Sequence, residues 1–285
     1  MTRFNVNMFL LLALATLMGP RAAQAAESYD NCKGFITSLP AVIGTQGTWC
    51  LKQDLATTAA SGQAITITTN NVTVDCNNFK LGGLGAGTGT LTLGVYAFNR
   101  SYTSVRHCNI RGFYEGISLL GAAGVGNVVE DNRFDNNTYI GLSVDGDGSI
   151  VRRNRVFNSG GSTQSAYAYG INTDESVNVL DNTVSGVKAT SGGNGYAIGI
   201  YTNSNGNGSI NRNAVRGLLK DGLGNAVAIS NVLSDRVVMR ENNLVGGTTA
   251  LVCSNSNGRA KDNVISGFSA ALFVCNDSGG NTIIP

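Results

Sequence analysis

Val151-Arg152-Arg153-Asn154-Arg155-Val156 sets a register that returns down most of the chain. An apolar residue opens it, an Asn falls three places later, and an apolar residue closes it two places after that. The Asn slot is filled by Asn77, Asn132, Asn154, Asn182, Asn213, Asn242, Asn263 and Asn281, and Cys108 takes it in one copy. The closing residues read Phe79, Ile110, Phe134, Val156, Val184, Val215, Leu244, Ile265 and Ile283. Successive slots lie 31, 24, 22, 28, 31, 29, 21 and 18 residues apart. A recurring unit of this size means a solenoid and not one globular core.

A second recurring piece is built as small residue, aliphatic, polar: Gly94-Val95-Tyr96, Gly116-Ile117-Ser118, Gly141-Leu142-Ser143, Gly170-Ile171-Asn172, Gly199-Ile200-Tyr201 and Ala228-Ile229-Ser230. Ile65-Thr66-Ile67 and Val72-Thr73-Val74 alternate as half-buried strands do. Each turn therefore carries at least two strands, with room for a third. Strands one repeat apart are parallel, because the path between them is a full circuit, and stacked circuits lie ~4.8 Å apart. An Asn at the same slot each time can then pass hydrogen bonds from amide to amide along the stack.

Residues 1–25 read as a signal peptide: Arg3 at the start, a short apolar run from Met8 to Met18, and Ala23-Gln24-Ala25 as the cleavage site. That run is too short to span a bilayer, and no later stretch is longer. Without Arg3 and Arg21, eighteen basic residues face eighteen acidic ones. Zero net charge argues against nucleic acid and against an electrostatic membrane mode. The six Cys all lie after residue 25, no C-x-x-C occurs and there is a single His, so the expectation is disulfides in a secreted or periplasmic protein rather than zinc. Cys32 with Cys50, Cys76 with Cys108, and Cys253 with Cys275 are the favoured pairs; Cys50 with Cys76 stays open. Residues 26–63, with Trp49, are expected to cap the entrance, Asp54 to Gly62 being a helical turn or a loop. Residues 64–285 form the solenoid.

The V-x-x-N-x-[VIF] register, the G-I-x strand and the opening Ala64-Ile65-Thr66-Ile67 through Val72-Thr73-Val74-Asp75-Cys76-Asn77-Asn78-Phe79 resemble the right-handed parallel β-helix proteins of the pectate-lyase-like superfamily. The resemblance covers roughly residues 64–283. It implies an all-β solenoid of about nine turns. It also implies an association with polysaccharide, as a hydrolase, lyase or binder. Asn172-Thr173-Asp174 copies the N-T-D element of polygalacturonases, but the accompanying Asp-Asp and G-H-G are absent, as is the D-P-H-D of alginate epimerases. Arg106, Arg111, Arg152 and Arg155 lack a lyase motif around them. Met239 and His107 are poor ligand stock for copper.

The position before the Asn slot reads His107, Asp131, Arg153, Asp181, Arg212, Glu241, Asp262, expected as an electrostatic ladder on an outer face. Asp145 and Asp174 fall two places after the polar residue of the G-I-x strand in neighbouring turns. This register puts their carboxylates on one face with Ser143, Asn172, Tyr201 and Asn203, as candidate acid and base. Tyr96 and Tyr201 offer sugar-stacking surfaces. Asp145 and Asp147, in Asp145-Gly146-Asp147-Gly148, are candidate calcium ligands. Two functions follow: an exported protein that binds or processes a polysaccharide along one strand face, or a non-catalytic structural or adhesive surface module.

Overall fold

Three short strands recur in each turn of the computed structural model, which describes residues 29–203, 207–232, 236–254 and 257–285. The expected signal peptide lies outside the described residues. A first face stacks Ser104–Arg106, Val128–Glu130, Ile150–Arg152, Asn178–Leu180, Ser209–Asn211 and Val238–Arg240. A second, just after the Asn bend, stacks Asn109–Arg111, Arg133–Asp135, Arg155–Phe157, Thr183–Ser185 and Ala214–Arg216. A third stacks Leu93–Phe98, Glu115–Leu120, Ile140–Val144, Ala168–Thr173, Ala197–Thr202 and Ala226–Asn231. All pairings are parallel, and the chain is a β-solenoid of about nine turns. In the last turns the second and third faces run together as Asn243–Cys253 and Val264–Phe273.

Registers this regular turn the apolar positions into continuous interior columns. Val105, Val129, Val151, Val179, Ile210 and Met239 stack in one, each at most 1% exposed. Ile110, Phe134, Val156, Val184, Val215 and Leu244 form the second. Val95, Ile117, Leu142, Ile171, Ile200 and Ile229 form the third. Full burial of each such side chain is worth about 1.5–3 kcal/mol. The glycine opening each third-face strand is required by contact: a Cβ on Gly141 would lie 2.4 Å from the Gly170 carbonyl oxygen and 2.5 Å from the Val156 side chain.

The bend between first and second faces is held by the Asn slot. The buried Asn154 carboxamide oxygen accepts from the Asn132 backbone N–H and from Asn132 Nδ2, both at 3.1 Å. Its Nδ2 donates to the Val129 carbonyl at 2.8 Å and to Asn182 Oδ1 at 3.1 Å. The same pattern repeats through Asn182, Asn213, Asn242 and Asn263 to Asn281. Cys108 joins by donating its backbone N–H to Asn132 Oδ1 at 2.9 Å. The residue before the slot adopts a left-handed conformation in every turn from His107 to Asp262, with φ between 53° and 58°. That conformation costs roughly 1–2 kcal/mol for an ordinary L-residue, and the ladder holds it in place.

Asn77 departs from the expectation. Lys80 and Leu81 pair with Asn109 and Ile110, while Asp75 pairs with Arg106, so this bend holds two extra residues. Asn77 and Asn78 both take positive φ, at 48° and 64°. Asn77 Nδ2 donates to the Leu51 carbonyl and its backbone N–H to Asp75 Oδ1, so the ladder ends at Cys108, whose N–H donates to Asn132 Oδ1. The closing core residue there is Leu81, fully buried, and not Phe79. The entrance also differs: Gly34–Ile36 pairs with Gly47–Leu51, and Ala41–Ile43 with Gln63–Ile67, so parallel pairing begins inside the segment expected as a cap. Within Asp54–Gly62 lies the short strand Leu55–Ala56.

Disulfides join Cys32 to Cys50, Cys76 to Cys108 and Cys253 to Cys275, with Cα separations of 5.8, 4.7 and 5.0 Å. Three bridges fit an oxidising compartment. Among the described residues no helix is long and apolar enough to cross a membrane.

Candidate functional site

The third face gathers the residues singled out in the sequence. Tyr96, Ser118, Ser143, Asn172 and Tyr201 occupy one register column, in that order along the stack. Asn172 Nδ2 donates to Ser143 Oγ at 2.9 Å. At the strand end, Asp145, Asp174 and Asn203 repeat one position: each backbone N–H donates to the preceding turn, at Leu119, Val144 and Thr173. Strand alternation puts Thr173 in the interior and leaves Asn172 and Asp174 outside, both half-buried. Asp145 and Asp174 are close enough for the Asp174 charge to act on the Asp145 carboxyl.

A third carboxyl belongs to this patch and was not read from the sequence. Glu115 opens its strand one turn before Ile140 and accepts a hydrogen bond from Ser118 Oγ. Burial raises its pKa, the Ser118 bond opposes this, and Asp145 raises it further. Asp145 is raised by burial first; its bond from the Gly121 N–H at 2.9 Å pulls the other way, and Asp174 adds to the rise. Glu175, beside them, is raised by burial and by Asp174, Asp147 and Asp145. Partly desolvated carboxyls that disfavour each other's charge hold a proton to higher pH than free ones.

Tyrosines run alongside. Tyr114 and Tyr139 stack with centroids 4.7 Å apart; Tyr139 meets Tyr169 edge-on at 5.6 Å, and Tyr169 meets Tyr201 at 5.5 Å. Tyr167 and Tyr196 stack at 5.3 Å. Burial raises the Tyr169 phenol to about 12, with Tyr201 and Tyr167 adding to it, so it stays protonated as a donor. Of this row only Tyr201 carried a sequence signal, because the other rings lie in loops or at strand starts outside the G-I-x motif. The face thus offers aromatic surfaces, hydroxyl and amide donors, and carboxyls of raised pKa in one run of adjacent turns.

Asp145 and Asp147 do not converge on a common point with a third ligand: Asp145 accepts from Gly121 and Asp147 from the Ser176 N–H at 3.2 Å. Among the described residues no group of three or more His, Cys, Asp or Glu side chains is placed to hold a metal ion. The charged column on the bend is a set of ion pairs. Arg153 grips Asp131 through 2.8 and 2.7 Å bonds, and Arg212 grips Asp181 at 2.7 and 2.9 Å. Both carboxyls are held below the usual range by those bonds. The cross-turn pairing does not run the whole column, since Glu241 pairs with its neighbour Arg240 and His107 with Asp75.

No family model matches the chain, and no curated protein matches it in sequence. Solved structures do match in shape. The A-module of the Azotobacter vinelandii mannuronan C-5 epimerase AlgE6 superposes with a TM-score of 0.52 at 12% identity, over 88% of this chain and 80% of that one. The Dettilon tailspike protein gives 0.45 at 16% identity, over 87% and 56%. A mutant tailspike protein of E. coli bacteriophage HK620, in complex with a pentasaccharide, gives 0.42 at 14%, over 88% and 56%. This chain spans little more than half the length of either tailspike. At these identities the likeness is one of fold alone: the chain is a parallel β-helix.

Proposed function

We propose that the third face binds a polysaccharide and hydrolyses it, with Glu115 as the general acid. The observation that carries this reading is the half-buried Glu115 carboxyl, raised in pKa, flanked by Asp145 and bordered by the tyrosine row. Tyr139, Tyr169 and Tyr201 supply stacking surfaces for sugar rings, and Asn172 supplies hydrogen bonds to their hydroxyls, while Ser143, only 1% exposed, is out of a sugar's reach and holds Asn172 instead. Glu115 gives its proton to the bridging oxygen as the C–O bond breaks. Water adds to the anomeric carbon, and its proton passes to Asp174. Asp145, between them, helps keep Glu115 protonated. The leader-like pattern of residues 1–25 and the three disulfides support action outside the cytoplasm. The parallel β-helix fold, shared with a mannuronan epimerase, fits this reading.

The test is a glycan-array screen of residues 26–285, with and without calcium, followed by assays for reducing ends and for unsaturated products on each hit. Binding with new reducing ends is expected, and Glu115→Gln retains binding while losing product. Unsaturated products would replace hydrolysis by elimination. Binding without product would make the face a lectin-like surface. Absence of binding across acidic and neutral polymers would refute the site and favour a structural or adhesive module.

A further inference from the structure

The second face carries arginines that the scaffold leaves open. Four arginines on the first face and the bend are paired tightly: Arg106 with Asp75 at 2.8 Å, Arg152 with Glu130 at 2.7 Å, Arg153 with Asp131 at 2.7 Å and Arg212 with Asp181 at 2.7 Å. Arg133 and Arg155 are different. They sit in direct register on adjacent turns, both exposed. Like charges directly opposed across strands are unfavourable unless something neutralises them. Arg155 has no carboxylate within ion-pair distance among the described residues. Arg133 has only Asp135 at 3.9 Å, its guanidinium lying 5.0 Å from the Phe157 ring centre. One strand earlier, Arg111 is half-buried, and its Nε is buried without a hydrogen-bond partner.

These side chains line a continuous groove. One cavity of about 580 Å³, at the bend, is bounded by Arg133, Arg153 and Arg155. A second of about 370 Å³ is bounded by Lys80, Arg111 and Arg133, and the two share Asn78, Asn109 and Arg133. We propose that this groove is a binding site, separate from the third face, for the carboxylate or sulfate groups of an acidic polysaccharide. Arg133 and Arg155 clamp one anionic group between turns, and Arg111 donates to a neighbouring one. A guanidinium's fork of N–H groups suits either anion. Asp131, Asp135 and Asp181 line the same groove. They accept hydrogen bonds from sugar hydroxyls, which a DNA backbone does not offer. That interleaving favours a sugar polymer over a nucleic acid.

The test uses residues 26–285 and calorimetric titration with polygalacturonate and dextran sulfate. Neutral dextran, sodium sulfate and single-stranded DNA are run in parallel, at two ionic strengths. Both acidic polymers are expected to bind, more weakly at high salt. The double variant Arg133→Gln with Arg155→Gln is expected to weaken them roughly tenfold or more, as loss of charge-assisted bonds requires. Its melting temperature should equal or exceed the parent's, since opposed like charges are removed. Failure to form product from any polymer would sink the third-face reading and leave this one standing, because its readout is the affinity lost in the double variant. Unchanged affinity in the double variant, equal binding of neutral dextran, tighter binding of DNA, or full competition by sodium sulfate at matched ionic strength would each overturn the assignment.

Discussion

Replacing Asn154 by Ala removes one rung of the buried ladder, and the cost can be worked from its bonds. The carboxamide satisfies the Asn132 backbone N–H, which has no other partner at the bend, and one Nδ2 hydrogen of the same residue. It also gives the Val129 carbonyl and Asn182 Oδ1 one bond each. A buried N–H left unpaired costs about 1–3 kcal/mol, and each other lost bond about 0.5–1.5 kcal/mol net. The expected destabilisation is therefore about 2.5–7.5 kcal/mol, a large share of a typical domain's stability. The same change at exposed Asn136, whose side chain bonds only to neighbouring Asp135, should cost about 1–2 kcal/mol at most, set by its left-handed φ of 54° and not by a ladder. Each turn of a solenoid contacts only its neighbours, so the loss should concentrate locally. Urea unfolding measures the global part, and hydrogen exchange at the Asn132 amide measures the local part. A loss under about 1 kcal/mol, with Asn132 exchange unchanged, would refute the ladder as the support of the bend.

The pH dependence of Glu115 has a definite sign. Its folded pKa is raised, so its contribution to stability is full below the unfolded carboxylate pKa and is lost as pH rises through the folded value. Glu115→Gln should therefore raise the melting temperature at neutral pH and leave it unchanged near pH 4, read by thermal melts across pH; no gain at neutral pH would count against burial of the charge. Gly141→Ala pushes a Cβ against the Gly170 carbonyl and Val156. It should cost about 1–3 kcal/mol by overpacking, whereas Ala228→Gly, in the one G-I-x copy that already holds alanine, should cost about 1 kcal/mol or less; equal effects on urea midpoints would refute the steric account.

Much of this molecule could be read in one dimension. The Asn slot, the apolar columns, the Cys253–Cys275 bridge and the shared face of Asp145, Asp174, Ser143, Asn172 and Tyr201 all follow from a period. In a solenoid, residues at equal places in successive repeats become neighbours in space. The reading failed where the period is broken. Two extra residues around Asn77 and Asn78 shift the register, and only the pairing of Lys80 with Asn109 shows that Leu81, not Phe79, closes the core. The short first turns carry no Asn slot, so their strands were taken for a cap.

The candidate site divides in the same way. Glu115 lies just before its G-I-x motif, and nothing in its neighbours' identity marks it. Its burial, its bond from Ser118 and the field of Asp145 arise from side chains in different turns. The tyrosine row, the loosely paired Arg133 and the open Arg155 are likewise invisible without the stack. Charge pairing depends on distances of a few ångströms that loop lengths and side-chain directions set. The sequence alone determined the winding, because winding needs only a repeated pattern of apolar and Asn positions. Tertiary structure alone decided which charges are shielded, paired or left open, because desolvation and Coulomb interaction depend on the whole surrounding geometry.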